Sequence, residues 1–361
     1  DTLQMVIQQV RDILEANPDA RIISLTQHDN GDYCQCPACK AIDENEGSQS
    51  GTMIHFVNAV ADAVKEDYPN VAFDTFAYGY TTDAPLHVIP RDNVMVRLCS
   101  SGFCFAHALN DNSCKVNINF SKQILAWQKI CKRLYIWDYT ANFSHFIGPF
   151  NNFGVLQPNI QFFAENHVKG IYEEGNFVLI GNNAEFAELR AYLLSKLLWN
   201  PNIDYDKTMN DFLRAYYGKG WQYIREYINM TIKKSGNGDN HMPYDQQMTA
   251  KGVFNLTRNE VEYCNDLWEK ATALAETETQ VRNIKMSELS WRYWKGCNKV
   301  SEFSRIKPIH DWMAANEALY DDYIKYDIKY CSQDSLITDI PEQEILWLLK
   351  TNFWLIPSKW R

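Results

Sequence analysis

Residues 52–80 read TMIHFVNAVADAVKEDYPNVAFDTFAYGY. Ile54, Val57, Val60, Ala61 and Val64 recur at three- and four-residue steps, the spacing of one helical face. Tyr68-Pro69 closes that helix. Beyond it Phe73, Thr75, Ala77 and Gly79 alternate with Asp74, Phe76, Tyr78 and Tyr80, the two-residue period of a strand. A helix feeding a strand through a short turn is the repeating half of a parallel α/β sheet.

The same rhythm runs outward from this stretch. Upstream, Leu3, Val6, Ile7, Val10, Ile13 and Leu14 mark a helix stopped by Asn17-Pro18-Asp19. A short buried strand is expected at 21–26, then a Cys-rich loop. Downstream, strands are expected at 93–100, 134–139 and 168–172, with helices at 120–131 and 160–166. Five strands do not close a (β/α)8 barrel, which takes eight. The chain opens on a helix and on Asp1, as a processed product or fragment would, so three strands are expected to precede it. The fold class expected is α/β: the C-terminal five βα units of a TIM-type barrel, strands four to eight, over residues 1–183. An all-α region is expected over 184–361. Its helices are placed at 184–198, 221–232, 287–303, 312–326 and 342–354. Thr257-Arg258-Asn259-Glu260 is a capping box for a further helix running past residue 280. Residues 235–240 (SGNGDN) read as a flexible loop.

Of the 361 residues, 46% are hydrophobic, enough for a sizeable core. The net charge of -10 repels phosphate backbones, and no Lys/Arg block overrides it, so nucleic acid is excluded as a partner. No apolar run of roughly 18 residues marks a membrane span. The 11 Trp, 20 Tyr and 18 Phe serve first as core, and also supply the flat faces on which sugars stack.

In parallel α/β architectures the reactive groups sit where strands end. The five strand tails carry, in turn, His28, Asp29, Asn30 and Asp32; Tyr78, Tyr80 and Thr81; Arg97, Ser100 and Ser101; Trp137, Asp138, Tyr139 and Asn142; and Tyr172, Glu173, Glu174 and Asn176. They hold carboxylates, phenols, an indole and amides, with no phosphate loop and no Ser nucleophile elbow. Glycosidic hydrolysis needs that inventory: two carboxyl groups, aromatic platforms and short hydrogen-bonders. A single strand-end Asp is usually a cap or loop staple; five polar strand ends carry more weight. Asp43, Glu44 and Glu46 add carboxylates, whose plain role is an acidic N-terminal turn for the helix at Thr52.

Ten cysteines are present, and Cys34, Cys36 and Cys39 form C-x-C-x-x-C. Disulfides or buried thiols are one reading. A structural zinc is another, with His28, Cys99, Cys104 or Cys114 as fourth ligand. No cofactor is expected for catalysis.

These segments resemble the bacterial domain-of-unknown-function family 4838, grouped as glycoside hydrolase family 163 of gut Bacteroides-type bacteria. The likeness lies in 23–30 with Tyr33-Cys34-Gln35-Cys36-Pro37-Ala38-Cys39, in 46–48, 50–51, 56–61, 74–81, 137–140 and 168–175, and in 189–201 (LRAYLLSKLLWNP). The resemblance implies a (β/α)8 barrel followed by helices, completed by an upstream segment. It also implies endo-β-N-acetylglucosaminidase action on the N-glycans of a glycoprotein, at the cell surface or in the periplasm. Related 2-acetamido-sugar hydrolases carry an acidic pair at the fourth-strand end. That implies substrate-assisted chemistry, with Asp29 orienting the acetamide and Glu46 protonating the leaving oxygen. Glu173 is the rival acid, or else holds sugar hydroxyls. Asn30, Tyr78, Tyr80, Trp137, Asp138, Tyr139, Asn142 and Glu174 are the expected substrate contacts. A non-catalytic glycan-binding module on the same scaffold is the alternative, and a zinc protein with Cys34, Cys36 and Cys39 in a partner-binding knob is a third.

Overall fold

The computed structural model describes residues 2–175, 184–235, 241–246, 248, 256–298, 318–332 and 335–336. Asn176, the helix expected at 342–354, and parts of those expected at 287–303 and 312–326 lie outside the described residues, as does most of the 235–240 loop.

The first part alternates helix and strand: α1 (Thr2–Ala16), β1 (Ile22–Ser24), α2 (Pro37–Glu46), α3 (Ser50–Val64), β2 (Ala72–Ala77), β3 (Val94–Cys99), α4 (Lys115–Ile130), β4 (Leu134–Tyr139), α5 (Leu156–Glu165) and β5 (Gly170–Glu174). The five strands form one parallel sheet in the order β1-β2-β3-β4-β5, with Ile22 opposite Ala72, Phe73 opposite Val94 and Val96 opposite Leu134. The class is α/β. Helices follow: α6 (Ala187–Trp199), α7 (Tyr205–Tyr217), α8 (Trp221–Ser235), α9 (Arg258–Ala273) and α10 (Glu278–Asn298), then a short antiparallel pair, β6 (Tyr330–Ser332) and β7 (Ser335–Leu336). Among the described residues no helix is long and apolar enough to cross a membrane.

Contacts divide the chain into two compact units, one of residues 1–103, 109–138 and 161–173, the other of 104–108, 139–160 and 174–361. In the first, the apolar stripe of α3 and the Phe73 face of β2 share a core with Val10 and Leu14 of α1, Val71 and Val94. Phe73, Thr75 and Ala77 are sealed from solvent, as their alternation requires. In the second, Tyr227, Trp268 and Trp291 are fully buried, with ring centroids 4.9 and 5.8 Å apart from Tyr227. Thr257 caps α9 reciprocally with Glu260, as its sequence announces.

Several elements depart from expectation for local reasons. The Cys-rich stretch is not all loop: Pro37 opens α2, and Gly47 at φ 70° ends it. Asp43, Glu44 and Glu46 are therefore helical, although Asp43 still accepts from the Thr52 amide and hydroxyl at the start of α3. Strand β1 is short, with Ile22 half exposed, because it lies at the end of the sheet. Strand β2 stops at Ala77, since the Tyr78 amide turns to Thr81 Oγ1. Strand β5 starts two residues late: His167 adopts φ 60° and the Val168 amide still bonds back to Phe163. Helix α9 ends at Ala273, and α10 begins afresh at Glu278. Helix α7, with no expectation behind it, is capped by Asp204 on the Lys207 amide.

Candidate functional site

Strands β4 and β5 are neighbours, and each carries a carboxylate at its next-to-last residue, Asp138 and Glu173. Asp138 is buried and accepts from Ser100 Oγ at 2.6 Å. Glu173 is different. Both of its carboxyl oxygens are out of solvent and find no hydrogen-bond partner among the described residues. Burial, and then the charge of Asp138, push its pKa well above the usual carboxylate range. Burial beside a second acid thus favours the protonated form of Glu173, the state a proton donor needs.

The opposite parity of the same strands carries a layer of polar and aromatic groups. Trp137 meets Tyr172 edge-on at 4.6 Å and Phe76 at 5.5 Å. The Arg97 guanidinium lies 5.6 Å from the Trp137 ring centre and reaches Asp74 at 3.2 Å. Ser24 Oγ donates to the same Asp74 carboxyl. Burial raises the pKa of Asp74, and Arg97 works against that rise. Tyr172 is 47% exposed, so this layer offers an open aromatic edge. Strand alternation sends Trp137 and Tyr172 to one face and Asp138 and Glu173 to the other.

Asp29 is exposed on the tail of β1, where the Tyr78 hydroxyl donates to it at 2.9 Å. Beside it Asn30 accepts from the Asp32 amide, and Tyr80 tilts against Tyr33 at 5.2 Å. Asp29 and Tyr78 are thus brought together. Glu46 has other partners. It is 3% exposed, and its Oε2 accepts from the His87 and Val88 amides at 2.7 and 3.0 Å. Burial raises its pKa, but those two amides and His55 outweigh it, leaving a carboxyl below its ordinary value. Gly51 is part of this fit, because a Cβ there would stand 2.4 Å from the Cβ of Glu46. An acid clamped in its ionised form by backbone amides is a loop staple, the reverse of the raised pKa that a proton donor needs.

In the second unit Tyr139 stacks on Tyr244 at 4.6 Å, and Asn142 spends its amide on the Gln246 carbonyl and its oxygen on the Ser144 and His145 amides. Glu174 offers its backbone carbonyl to the Thr140 amide and hydroxyl. The sulfurs of Cys34, Cys36 and Cys39 lie within 4.8 Å of one another at the start of α2, with no fourth His, Cys, Asp or Glu ligand atom among the described residues inside that distance. The Cys39 amide, then the Cys34 and Cys39 thiols, lower Cys36 to about 7, while Cys39 is raised to about 12 by its two neighbours.

A hollow of about 690 Å³ runs beside β1, walled by residues 23–26, by Val6, Val10 and Ile13 of α1, and by Met53 and Phe56 of α3. Tyr80, Cys34 and Cys39 line it; Asp29, Glu46, Trp137 and Glu173 do not. Two groups had weak signals in sequence. Asp74 is a lone carboxylate inside a strand, and Ser100 is a strand-tail hydroxyl whose partner only the register of β3 and β4 reveals.

The fold and strand ends define an α/β domain with ionisable groups gathered at the carboxyl edge of a parallel sheet. The chain belongs to the family described as a domain of unknown function, DUF4838, whose model matches residues 1–229. Among solved structures it is similar to one described as a GH138 enzyme targeting pectin rhamnogalacturonan II, with 10% identity and a TM-score of 0.41. That likeness covers 89% of this chain and 52% of the other, so the chain spans about half that protein's length. No curated protein matches.

Proposed function

We propose that this chain is part of a glycoside hydrolase acting on N-acetylglucosamine-containing glycans, with Glu173 as proton donor and Asp138 as its carboxylate partner. The observation that carries this is the carboxyl pair near the ends of β4 and β5: a desolvated carboxyl with no hydrogen-bond partner among the described residues, beside one that accepts from Ser100. A glycosidic bond breaks when its leaving oxygen is protonated while positive charge grows at the anomeric carbon. Glu173 supplies the proton. In substrate-assisted chemistry the acetamide oxygen attacks that carbon, and Asp138 receives the acetamide N–H. Proton transfer of this kind contributes about 10²–10⁴-fold.

Asp29 with Tyr78, and the Trp137–Tyr172 edge, are outlying glycan contacts in this scheme. Glu46, the donor expected from the family resemblance, gives up that role because its amide clamp favours the ionised form. The barrel closes through an upstream segment of the same protein. It pairs with the outer edge of β1 and fills the apolar hollow there, which leaves no strand edge bare. The N-glycan reading places the enzyme outside the cytoplasm.

The test is to incubate the protein, upstream segment included, with a complex N-glycoprotein and with simple aryl N-acetylglucosaminides. Release of whole glycans supports endo action. Cleavage of the aryl sugar alone assigns an exo enzyme. Binding with no turnover of either returns the non-catalytic module.

A further inference from the structure

Cys104-Phe105-Ala106-His107 follows the turn after β3, and His241 lies far along the chain. Backbone bonds bring the two stretches together. The Phe105 amide donates to the Met242 carbonyl at 2.8 Å, and the Met242 amide donates to Cys104 Sγ at 3.3 Å. The Ala106 amide reaches the same sulfur at 3.4 Å. His107 Nδ1 stands 3.2 Å from it, and the His107 and His241 rings are 5.7 Å apart between centroids. One ligand atom from each of the three residues lies within 4.8 Å of the others.

We infer that Cys104, His107 and His241 bind a zinc ion as a structural site in the second unit. A thiolate and imidazoles are the donor types zinc selects. Tetrahedral zinc, with Zn–S near 2.3 Å and Zn–N near 2.0–2.1 Å, sets ligand atoms roughly 3.4–3.8 Å apart, and the Cys104–His107 spacing is already close to that. Two backbone N–H groups aimed at one sulfur suit a metal-bound thiolate, whose charge they share. Cys104 is 1% exposed, which argues against a nucleophile that must meet substrate. The metal would tie the side chains of the 104–108 loop to residue 241, adding to the backbone bonds that already join the two stretches. This site is separate from the exposed Cys34, Cys36 and Cys39 cluster, where sulfur is the only donor.

The experiment starts from the C34S/C36S/C39S chain, purified without chelator, so that metal in the exposed cluster does not confuse the count. Elemental analysis is expected to find close to one zinc per chain. X-ray absorption is expected to give a mixed shell, with nitrogen near 2.0–2.1 Å and sulfur near 2.3 Å. Adding H107A should remove most of the zinc and lower the melting temperature. If H107A does not fold, cobalt loading of the triple variant decides: a thiolate charge-transfer band with tetrahedral d–d bands supports the site. A triple variant without zinc, a shell lacking sulfur, or a mass map placing Cys104 in a disulfide would overturn it.

Discussion

Asp138 and Glu173 stand one residue from the ends of neighbouring strands, and the charge of the first adds to burial in raising the pKa of the second. Glu46 lies in the same unit and is also buried, yet its pKa moves down, because two amides and His55 point at it. Hydrogen bonds to Glu46, and burial beside the Asp138 charge at Glu173, send the two acids in opposite directions. That difference gives each one an opposite signature in stability.

Glu173 is raised in the folded state, so its contribution to stability is present below the unfolded carboxylate pKa, about 4.3, and is lost as pH rises through the folded value. Replacing it with Gln removes that loss. E173Q is therefore expected to match the wild type near pH 4 and to melt higher than it at neutral pH. Thermal melts across that range check it; a variant less stable at pH 7 than at pH 4, relative to wild type, contradicts the pKa direction.

Glu46 is depressed in the folded state, so its contribution is present above about pH 4.3 and fades as pH falls through the folded value. Loss of a charged acceptor to two amides costs about 1.5–3 kcal/mol. E46Q should lose about that much in urea unfolding at neutral pH, and the gap should narrow in acid. Turnover by the folded variant should stay within a few-fold of wild type.

Glu185 and Arg190 form a buried ion pair at 2.9 Å, and Arg190 also reaches the Phe150 carbonyl and Asn152. Burial pushes Glu185 up and Arg190 down, each against the charge of the other, so each needs its partner. E185A should cost about 3–5 kcal/mol, because it strands a buried cation. A double change to apolar residues of similar volume should recover most of that loss, as denaturant titration of the three chains will tell.

The thiol of Cys36 is lowered to about 7, while burial pushes Cys264 up to about 12. Brief iodoacetamide treatment of the native chain at pH 7 should label Cys36 first and leave Cys264 untouched. Mass mapping of the peptides reads this directly, and pre-incubation with zinc should slow the Cys36 reaction if the three sulfurs share a metal.

Much of this architecture is written in local patterns. The α3 stripe, the β2 alternation and the Thr257 capping box each need only neighbouring residues, and each stands where its pattern puts it. Boundaries set by single backbone events were less legible. Nothing in the sequence around His167 announces the positive φ that delays β5 and carries Glu173 and Glu174 into the strand. The site was legible as a set of strand tails but not as partnerships. Whether Glu46 meets substrate or backbone depends on where residues 87–88 return, and that is a tertiary fact. The pairing of His107 with His241 was equally beyond any spacing rule.

The most direct measurement compares wild type and E173Q, both carrying the upstream segment, for release of glycans from an N-glycoprotein across pH. The wild-type rate should fall on an alkaline limb as Glu173 loses its proton, and E173Q should lose about 10²–10⁴ in kcat while remaining folded. Near-normal turnover by folded E173Q, with the alkaline limb unchanged, would contradict the assignment of Glu173 as the proton donor.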